Sequence, residues 1–387
     1  MTAAREVLVV GAGIVGAAAA RELAVRGVDV LLLDAGDVSS GTTGLGEGNV
    51  LCSDKDVGLE LDLCVAGRAL FDELGEEARI RRKGALVVHP EAATWEGERT
   101  RLDRLGAAGV EGRLVAADEV VELEPLLTGP VHGASFFPDD LQCDPRAIAR
   151  ALAREVPDVR TGTRVAEIAT APPTTAAATA DGRVTGVVLE SGERITAGAV
   201  VLAAGPWSAA LAATAGLALP VEPRKGQLVR LAGPADVRHK VVDGSYLASV
   251  VSDGAELEIT TVVETTWEGD VLVGSSRERR GFDTIVDDSV SEAMVARAAR
   301  LFPSLAARPR VAAWAGLRPW LPGHLPAIGP SAAIEGLWVA TGHEGAGVAL
   351  GPITGRLVAQ AYCGEPLALD LEPFTPDRFS GAAATAA

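Results

Sequence analysis

Apolar and polar positions near the start of the chain predict a strand, a tight turn, a helix and a second strand. Residues 7–10 form a short apolar run that leads directly into a glycine-rich stretch, residues 11–16. A helix is predicted over residues 14–26, and a second apolar run, residues 28–33, ends on Asp34. Because short apolar runs are typical of buried strands, we expect this segment to lie in a sheet.

The second half of the chain has a different pattern. Residues 199–205 are apolar and end on glycine, which predicts a central strand of a parallel sheet. From residue 221 to residue 276, apolar and polar residues alternate between turns, which predicts an antiparallel sheet with one face exposed to water. Its strands are predicted over residues 221–231, 246–251, 257–263 and 271–276.

Capping residues and periodicity predict further elements. Asp144 is predicted to cap a helix that has Pro145 at its first position. Ser289 and Glu292 form a predicted capping box for a later helix, and the Pro-, Thr- and Ala-rich residues 172–180 predict an exposed loop. Further helices are predicted over residues 59–74 and 351–362, and further strands over residues 85–89, 164–168, 184–190, 193–196, 310–317 and 336–340.

The first glycine-rich stretch has the spacing of a dinucleotide-binding motif. Gly11 permits a tight turn after the strand, Gly13 permits a close approach of the backbone to a pyrophosphate, and Gly16 permits close packing of the helix. The N-terminus of that helix directs unpaired N–H groups at the phosphates. Asp34 has the offset expected of a carboxylate that accepts a hydrogen bond from a ribose 2′-hydroxyl. The predicted ligand is therefore a dinucleotide without a 2′-phosphate.

Composition and charge exclude several function classes. A length of 387 residues predicts two domains, and the 48% hydrophobic content is typical of a globular protein. The formal net charge of −17 repels nucleic acids and anionic membranes, so we expect no nucleic-acid partner. The four cysteines contain no C-x-x-C pair, so no metal and no disulfide framework are predicted. Residues 7–20 carry the glycine motif and are not interpreted as a signal peptide, and no integral membrane segment is expected, so we expect a cytoplasmic protein.

Five motifs lie in order along the chain. They are GAGIVG at residues 11–16 with Asp34, SGTTGLGEGN at residues 40–49, VVLAAGPWS at residues 200–208, WAGLRP at residues 314–319 and GHEGAGV at residues 342–348. Together they resemble the D-amino acid oxidase/glycine oxidase superfamily of FAD-dependent amine oxidases and dehydrogenases. The resemblance implies an α/β fold in which a Rossmann-like FAD-binding domain of the glutathione-reductase type is combined with a second, antiparallel-sheet substrate domain.

The resemblance and the change of pattern together imply a discontinuous FAD-binding domain. We assign residues 1–80, 144–220 and 310–375 to this domain. Residues 81–143 and 221–309 are assigned to the substrate-binding domain, and residues 376–387 to a flexible C-terminal tail.

The resemblance implies non-covalent FAD. Relatives with covalent flavin attach it through a cysteine shortly after the Gly-Leu-Arg-Pro motif, whereas this chain has Trp320, Leu321 and Pro322 there. The residues that the resemblance assigns to FAD are Gly11, Gly13, Ile14, Val15, Gly16, Asp34, Ala35, Thr42, Thr43, Gly48, Asn49, Val50, Val165, Ala203, Gly205, Trp207, Gly316, Arg318, Gly345, Ala346, Gly347 and Val348.

Several of these residues have implied individual roles. Thr42 and Thr43 would donate hydrogen bonds to phosphate, although a simple turn with both hydroxyls facing water is the alternative. Gly48 and Asn49 would lie along the flavin ring, and Val165 would lie near the adenine.

Two residues are implied to act on the substrate. Arg318, the arginine of Gly-Leu-Arg-Pro, would hold the substrate carboxylate, because a guanidinium donates two parallel hydrogen bonds to a carboxylate. A salt bridge at the surface or between domains is the alternative for Arg318. His343 would lie close to the flavin and tune the amine or the ring, and a structural, hydrogen-bonded histidine is the alternative.

The implied reaction is oxidation of the C–N bond of a small amino or imino acid by hydride transfer to flavin N5, with O2 or another electron acceptor. The substrate would be a D-amino acid, a cyclic imino acid or an N-substituted glycine. The tyrosine that supports the carboxylate in glycine-oxidase-like members falls near Thr261 and Val262 here, with Tyr246 on a neighbouring predicted strand, so glycine itself is not assumed.

Three alternatives stay open. Residues 319–329 look closer to the flavin subunits of bacterial opine and D-hydroxyproline dehydrogenases, so the chain could be a flavin-carrying subunit that is inactive without an iron–sulfur partner subunit. A homo-oligomer is a second arrangement. A 2-hydroxy acid oxidoreductase on the same fold is the third, because function depends on the site rather than on the fold.

Overall fold

The computed structural model describes residues 4–173, 180–245, 247 and 256–380. The strands in these residues are β1 (Arg5–Val10), β2 (Val30–Leu33), β3 (Asn49–Val50), β4 (Ile80–Arg81), β5 (Ala85–His89), β6 (Arg113–Ala116), β7 (Gly133–Phe137), β8 (Leu141–Cys143), β9 (Asp158–Arg160), β10 (Val165–Ala171), β11 (Gly182–Leu189), β12 (Arg194–Leu202), β13 (Glu222–Leu231), β14 (Lys240–Asp243), β15 (Leu257–Thr265), β16 (Val271–Glu278), β17 (Arg310–Trp320), β18 (Ala327–Pro330), β19 (Ile334–Glu335) and β20 (Leu337–Thr341).

Helices connect and cover these strands. The α-helices of the described residues are α1 (Ile14–Ala24), α2 (Thr42–Leu45), α3 (Leu59–Arg68), α4 (Ala92–Trp95), α5 (Glu98–Ala107), α6 (Ala117–Leu123), α7 (Pro145–Arg154), α8 (Ser208–Thr214), α9 (Asp288–Leu301) and α10 (Gly347–Cys363). Short 3₁₀ helices cover Ala69–Glu73, Glu76–Ala78, Gly205–Trp207, Pro303–Ala307, Glu344–Ala346, Glu372–Phe374 and Pro376–Phe379.

A mixed sheet contains the first strand of the chain at its centre. β1 pairs in parallel with β2 on one side and with β12 on the other, and β12 pairs in parallel with β20. Val7 and Val9 face one apolar core, and Leu8 and Val10 face another, so both faces of β1 are covered. Two covered faces explain the uninterrupted apolar run, and the predicted central parallel strand is confirmed in β12.

Helix α1 packs very closely against helix α10 on one face of the mixed sheet. A Cβ on Gly355 of α10 would lie 2.5 Å from the backbone carbon of Ala18 in α1. Glycine therefore permits the two helix backbones to approach each other. The N-terminus of α1, next to the glycine motif, is held in place by this contact.

A large, mainly antiparallel sheet forms the second layer of the chain. Its strand order is β17-β13-β16-β15-β14-β5-β7-β6, and β14 with β5 is its parallel pair among the described residues. β5, β6 and β7 come from the first predicted insertion, and β13 to β16 come from the second. The predicted antiparallel sheet is confirmed, and strands of both insertions form it. The assignment of the two parts to separate functional domains stays a prediction.

The structure differs from the predicted boundaries at two places. The prediction assigns residues from 310 onward to the FAD-binding domain, but β17 pairs with β13 from Trp320 opposite Glu222 to Arg310 opposite Leu231. The large antiparallel sheet therefore includes β17. The predicted tail begins with the 3₁₀ helix Pro376–Phe379, and Phe379 packs into the core of the mixed sheet.

Local elements differ in smaller ways. Asp144 caps α7 as predicted, because its carboxylate accepts from the backbone N–H groups of Arg146 and Ala147. Helix α9 is capped by Asp287, two residues before the predicted Ser289, since the Asp287 carboxylate accepts from the Ser289 N–H. The predicted helix over residues 59–74 ends at Arg68 and continues as a 3₁₀ helix. Most of the predicted strand 246–251, most of the predicted loop 172–180 and residues 381–387 of the tail lie outside the described residues.

The helix contact at Gly355 predicts a loss of stability on substitution. Gly355→Ala places a methyl group against the backbone of α1, and we expect overpacking to lower the free energy of unfolding by about 1–3 kcal/mol. Denaturant unfolding followed by circular dichroism measures this change.

Gly106 provides a matched control, because it lies in α5 and a Cβ there meets no described atom within 4 Å. Gly106→Ala should stabilise the protein by about 0.5–1 kcal/mol through the lower entropy of the unfolded chain. Equal effects of the two substitutions would contradict the close helix contact.

Candidate functional site

A cavity of about 600 Å³ lies between the mixed sheet and the large antiparallel sheet. One wall is formed at the carboxyl ends of parallel strands, by Val10 of β1, Leu33 of β2 and Thr341 of β20. The opposite wall includes Gly226 of β13 and Arg318 of β17. The carboxyl ends of parallel strands are the usual binding position in open α/β sheets, and the volume suits a cofactor.

The glycine motif shapes one end of this cavity. Gly11 has a φ of 109°, and a Cβ there would lie 2.8 Å from the Ala203 carbonyl carbon of the adjacent loop. A Cβ on Gly16 would lie 3.0 Å from the Gly11 carbonyl carbon, so Gly16 permits α1 to pack on the turn. A Cβ on Gly13 would reach the Thr43 hydroxyl at 3.0 Å. The backbone is therefore open toward the cavity where a pyrophosphate would lie.

Asp34 is fixed at the same end of the cavity. Its Oδ2 accepts from the Ala12 N–H at 2.6 Å, and its Oδ1 accepts from the Gly36 N–H at 2.7 Å. These two bonds orient the carboxylate at the end of β2 and link it to the glycine turn. The predicted ribose contact of Asp34 stays a prediction, and Asp34, Ala35 and Val165 all line the cavity.

The two threonines of helix α2 have different hydrogen bonds. The Ile14 N–H donates to Thr43 Oγ1 at 3.0 Å, so the Thr43 hydroxyl lies at the N-terminus of α1. Thr42 Oγ1 donates to the Leu317 carbonyl at 2.6 Å, and because a hydroxyl has one proton, this is not the predicted donation to a phosphate. Trp314 Nε1 donates to the Leu45 carbonyl at 3.0 Å, which is a second bond between α2 and β17.

Most of the predicted cofactor-binding residues come together in this one cavity. Those that line it are Gly11, Gly13, Ile14, Val15, Asp34, Ala35, Thr42, Thr43, Asn49, Val165, Ala203, Gly205, Trp207, Gly316, Arg318, Gly345, Gly347 and Val348, and His343 lines it too.

Four predicted residues lie behind the cavity wall instead. Gly16 packs α1 on the turn, as described above. A Cβ on Gly48 would lie 2.7 Å from the Cys143 carbonyl carbon, so this glycine permits close packing on β8. Val50 is fully buried in the core, and Ala346 is buried below the loop that precedes α10. The predicted flavin contact of Gly48 is therefore replaced by a strand contact, whereas its neighbour Asn49 lines the cavity.

Arg318 extends across two strands of the large antiparallel sheet. The side chain starts on β17, passes over Gly226 of β13, and its Nη1 donates to the Ser276 carbonyl of β16 at 2.9 Å. A Cβ on Gly226 would lie 2.5 Å from the Arg318 Cζ. Glycine at this position therefore makes room for the guanidinium against the sheet, where it faces the cavity.

Glu344 carries a negative charge in the same wall. Its carboxylate contacts Arg224 at 2.8 Å, Arg277 at 3.7 Å and His324 at 3.4 Å. Burial acts to raise the pKa of Glu344, but the hydrogen bond with His324 and the attraction of Arg277 and Arg224 are stronger and lower it to about 2. The glutamate is therefore ionised and bound to cations of the large sheet.

His343 is a buried, neutral side chain. Its Nε2 lies 2.9 Å from the Thr354 hydroxyl of α10, and burial lowers its pKa to about 3. A histidine with this pKa has no proton to donate as an imidazolium near neutral pH. The geometry therefore supports the structural alternative for His343, which positions the loop before α10.

Sequence reasoning missed several lining residues. Glu47, Gly226 and Ser275 line the cavity, and Arg224 with Arg277 lies behind Glu344. Gly226 had a detectable signal, because a glycine inside an alternating strand often marks the close approach of another group. The others come from separate strands, and their contacts depend on strand pairing.

The fold and this cavity together define a dinucleotide-binding type of protein, with the mixed sheet on one side of the site and the large antiparallel sheet on the other. The described residues include no helix that combines the length and the apolar character needed to cross a membrane. The family model described as FAD dependent oxidoreductase (DAO) matches residues 6–361. The chain belongs to this family, and its cofactor is FAD, so the predicted family, fold class and cofactor are confirmed.

Individual relatives agree with this assignment. Glycine oxidase of Pseudomonas aeruginosa is 31% identical over 397 residues, covering 96% of this chain and 98% of the relative. D-amino acid dehydrogenase of Paramagnetospirillum magneticum is 29% identical and covers 83% of this chain and 73% of the relative. The crystal structure of glycine oxidase from Geobacillus kaustophilus superimposes with a TM-score of 0.84 and 27% identity, covering 97% of this chain and 99% of that one.

The low pKa of His343 predicts a specific acid sensitivity. Because the folded protein keeps His343 neutral down to about pH 3 while the unfolded chain protonates it near the ordinary value of 6.5, its contribution to stability is complete above pH 6.5 and is lost as the pH falls toward 3. When the pH falls from 6.5 to 5, the unfolding free energy of the wild type should decrease by up to about 2 kcal/mol more than that of His343→Gln.

Denaturant unfolding at the two pH values measures this difference. His132→Gln is the control, because His132 is exposed and should leave the pH dependence unchanged. An unaltered pH dependence in His343→Gln would refute the buried neutral histidine.

Proposed function

We propose that this protein oxidises the C–N bond of a small amino or imino acid, with FAD as the first electron acceptor. The observation that carries the proposal is the position of Arg318 in the FAD cavity, on the wall opposite the glycine motif. Two relatives are named glycine oxidase and D-amino acid dehydrogenase, which are names for oxidoreductases of amino acids. The substrate classes that fit are D-amino acids, cyclic imino acids and N-substituted glycines.

Arg318 is suited to bind the substrate carboxylate. A guanidinium is permanently charged, and its planar set of N–H donors matches the two oxygens of a carboxylate. The bond to the Ser276 carbonyl and the close contact with Gly226 favour this position of the guanidinium. A carboxylate bound there has a fixed orientation, so the position of the carbon atom next to it is fixed as well.

The residues around the cavity fit FAD. When bound, FAD accepts the hydride that leaves the carbon attached to nitrogen. The backbone N–H groups near Gly345 and Gly347 lie at the N-terminus of α10, which stabilises negative charge. The chain's four cysteines are not among the residues that line the cavity, which supports non-covalent binding.

Anaerobic reduction of the flavin by a substrate panel tests the proposed function. The panel contains D-alanine, D-proline, L-proline, glycine and N-methylglycine, and we expect at least one of them to bleach the absorbance of the oxidised flavin. Admission of air then identifies the electron acceptor, since rapid return of the absorbance indicates O2 and persistent bleaching indicates another acceptor.

Arg318→Gln should lower the apparent affinity for the reducing amino acid by at least tenfold, because a charged hydrogen bond is lost. The exposed Arg113→Gln is the matched control. If the matching 2-hydroxy acids bleach the flavin and no amine does so, the proposed C–N oxidation is wrong. If the panel becomes active only with an iron–sulfur partner subunit, the flavin-subunit alternative is correct.

We expect substitution of Gly226 to affect ligand binding by Arg318 separately from the stability of the fold. Gly226→Ala places a methyl group where the end of a flexible side chain lies, so we expect the guanidinium to shift while the fold is kept. Binding of acetate, measured by perturbation of the flavin absorbance, should weaken at least tenfold. The unfolding free energy should change by less than about 1 kcal/mol, and a large loss of stability with unchanged acetate binding would contradict the placement of Arg318.

A further inference from the structure

Three carboxylates line the cavity among the described residues, and they differ in how their oxygens are used. They are Asp34, Glu47 and Glu344. Both oxygens of Asp34 accept from backbone N–H groups, Oε1 of Glu344 pairs with Arg224, and Oε2 of Glu344 contacts His324. Glu47 is different. Its Oε2 accepts from Asn49 Nδ2 at 2.8 Å, whereas its Oε1 has no hydrogen-bond donor in the described part of the chain.

Glu47 lies against the strand that also fixes Arg318. A Cβ on Gly274 of β16 would lie 2.8 Å from Glu47 Cδ, and Oε1 is the atom nearest to that position. Arg318 donates to the carbonyl of Ser276, two residues further along β16. Since a strand rises about 3.3 Å per residue, the Cα atoms of Gly274 and Ser276 are no more than about 7 Å apart. One acidic and one basic side chain thus converge on the same part of the cavity.

Lys240 helps to hold the Glu47 side chain in place. Lys240 is fully buried, its Nζ lies 3.8 Å from Glu47 Oε2, and it donates to Glu264 at 2.7 Å. Lys83 also interacts with Glu264, and burial lowers its pKa to about 8. Lys240 therefore acts on the Oε2 side of Glu47. The side chain is therefore anchored through Oε2, and Oε1 is left for a ligand.

We propose that Glu47 binds the amino or imino nitrogen of the substrate while Arg318 binds its carboxylate. This inference rests on the proposed function. An α-amino acid carries its cationic nitrogen and its carboxylate on one carbon, so a glutamate and an arginine that contact the same stretch of β16 match both charges. The pair selects amino and imino acids over 2-hydroxy acids and simple carboxylates, because these lack the cation that Glu47 binds.

Paired ligands that differ at one atom test this role. N-methylglycine and methoxyacetate differ by NH against oxygen, as do proline and tetrahydrofuran-2-carboxylate. In the FAD-loaded protein, dissociation constants come from the concentration dependence of flavin reduction for the amines, and from perturbation of the flavin absorbance for the ethers. Glu47→Gln should weaken the binding of N-methylglycine or proline at least tenfold. The same variant should bind the matching ether with unchanged or higher affinity.

Two further variants complete the experiment. Glu47→Asp keeps the charge and should bind the amine better than Glu47→Gln does. Glu335→Gln removes one exposed carboxylate outside the cavity and should bind both ligands as the wild type does. FAD affinity and thermal unfolding of each variant are measured in parallel.

The possible results separate the two proposals. If wild-type protein is reduced by neither amine and by no other member of the amino acid panel, the proposed function fails. If the wild type is reduced but Glu47→Gln binds amine and ether with wild-type affinities, or weakens both equally, the assignment of Glu47 is wrong. If Glu47→Gln lowers FAD affinity and leaves the preference for amine over ether intact, Glu47 contacts the cofactor instead of the substrate, which also overturns the inference.

Discussion

Close approach of backbones at glycine positions is the constraint on which this structure depends. The turn at Gly11 touches the loop after β12, Gly16 seats α1 on that turn, and Gly355 brings α10 against α1. Each contact leaves no room for a side chain, so the first strand, its helix and the last helix form one tightly packed unit. The carboxyl ends of the parallel strands and the N-termini of both helices therefore open into one cavity, where a dinucleotide meets N–H groups and few side chains.

The second wall of the cavity supplies charge instead of backbone donors. Strands β13, β16 and β17 carry Arg318 and the arginines that hold Glu344, while Glu47 reaches β16 from the loop after α2. Both oxygens of Glu344 are engaged by neighbouring side chains, whereas Glu47 is anchored through Oε2, and its Oε1, which lies against Gly274 of β16, has no hydrogen-bond donor among the described residues. The wall at the mixed sheet thus offers mainly neutral backbone groups, and the wall at the large antiparallel sheet offers charged side chains. This arrangement suits a cofactor on the first side and a zwitterion on the second.

Local patterns in the sequence were sufficient for the parts of the molecule that depend on neighbouring residues. The glycine turn, the acid that ends β2, the central apolar strand and the Asp144 cap were all predictable, because each is determined within a few residues. The ion pairs of Glu344 were not, since Arg224 and Arg277 reach it only through the register of β13 and β16. The same limit explains why residues 310–320 were assigned to the FAD-binding domain although β17 pairs with β13, and why Asp287 was overlooked as the cap two residues before Ser289.

The hydrogen bonds from Thr42 to Leu317 and from Trp314 to Leu45 connect helix α2 directly to β17, the strand that carries Arg318. Any displacement of α2 is therefore transmitted to the arginine over a single turn of helix and one strand. The orientation of the guanidinium thus depends on a helix that is distant in sequence from β17, as well as on the strand itself.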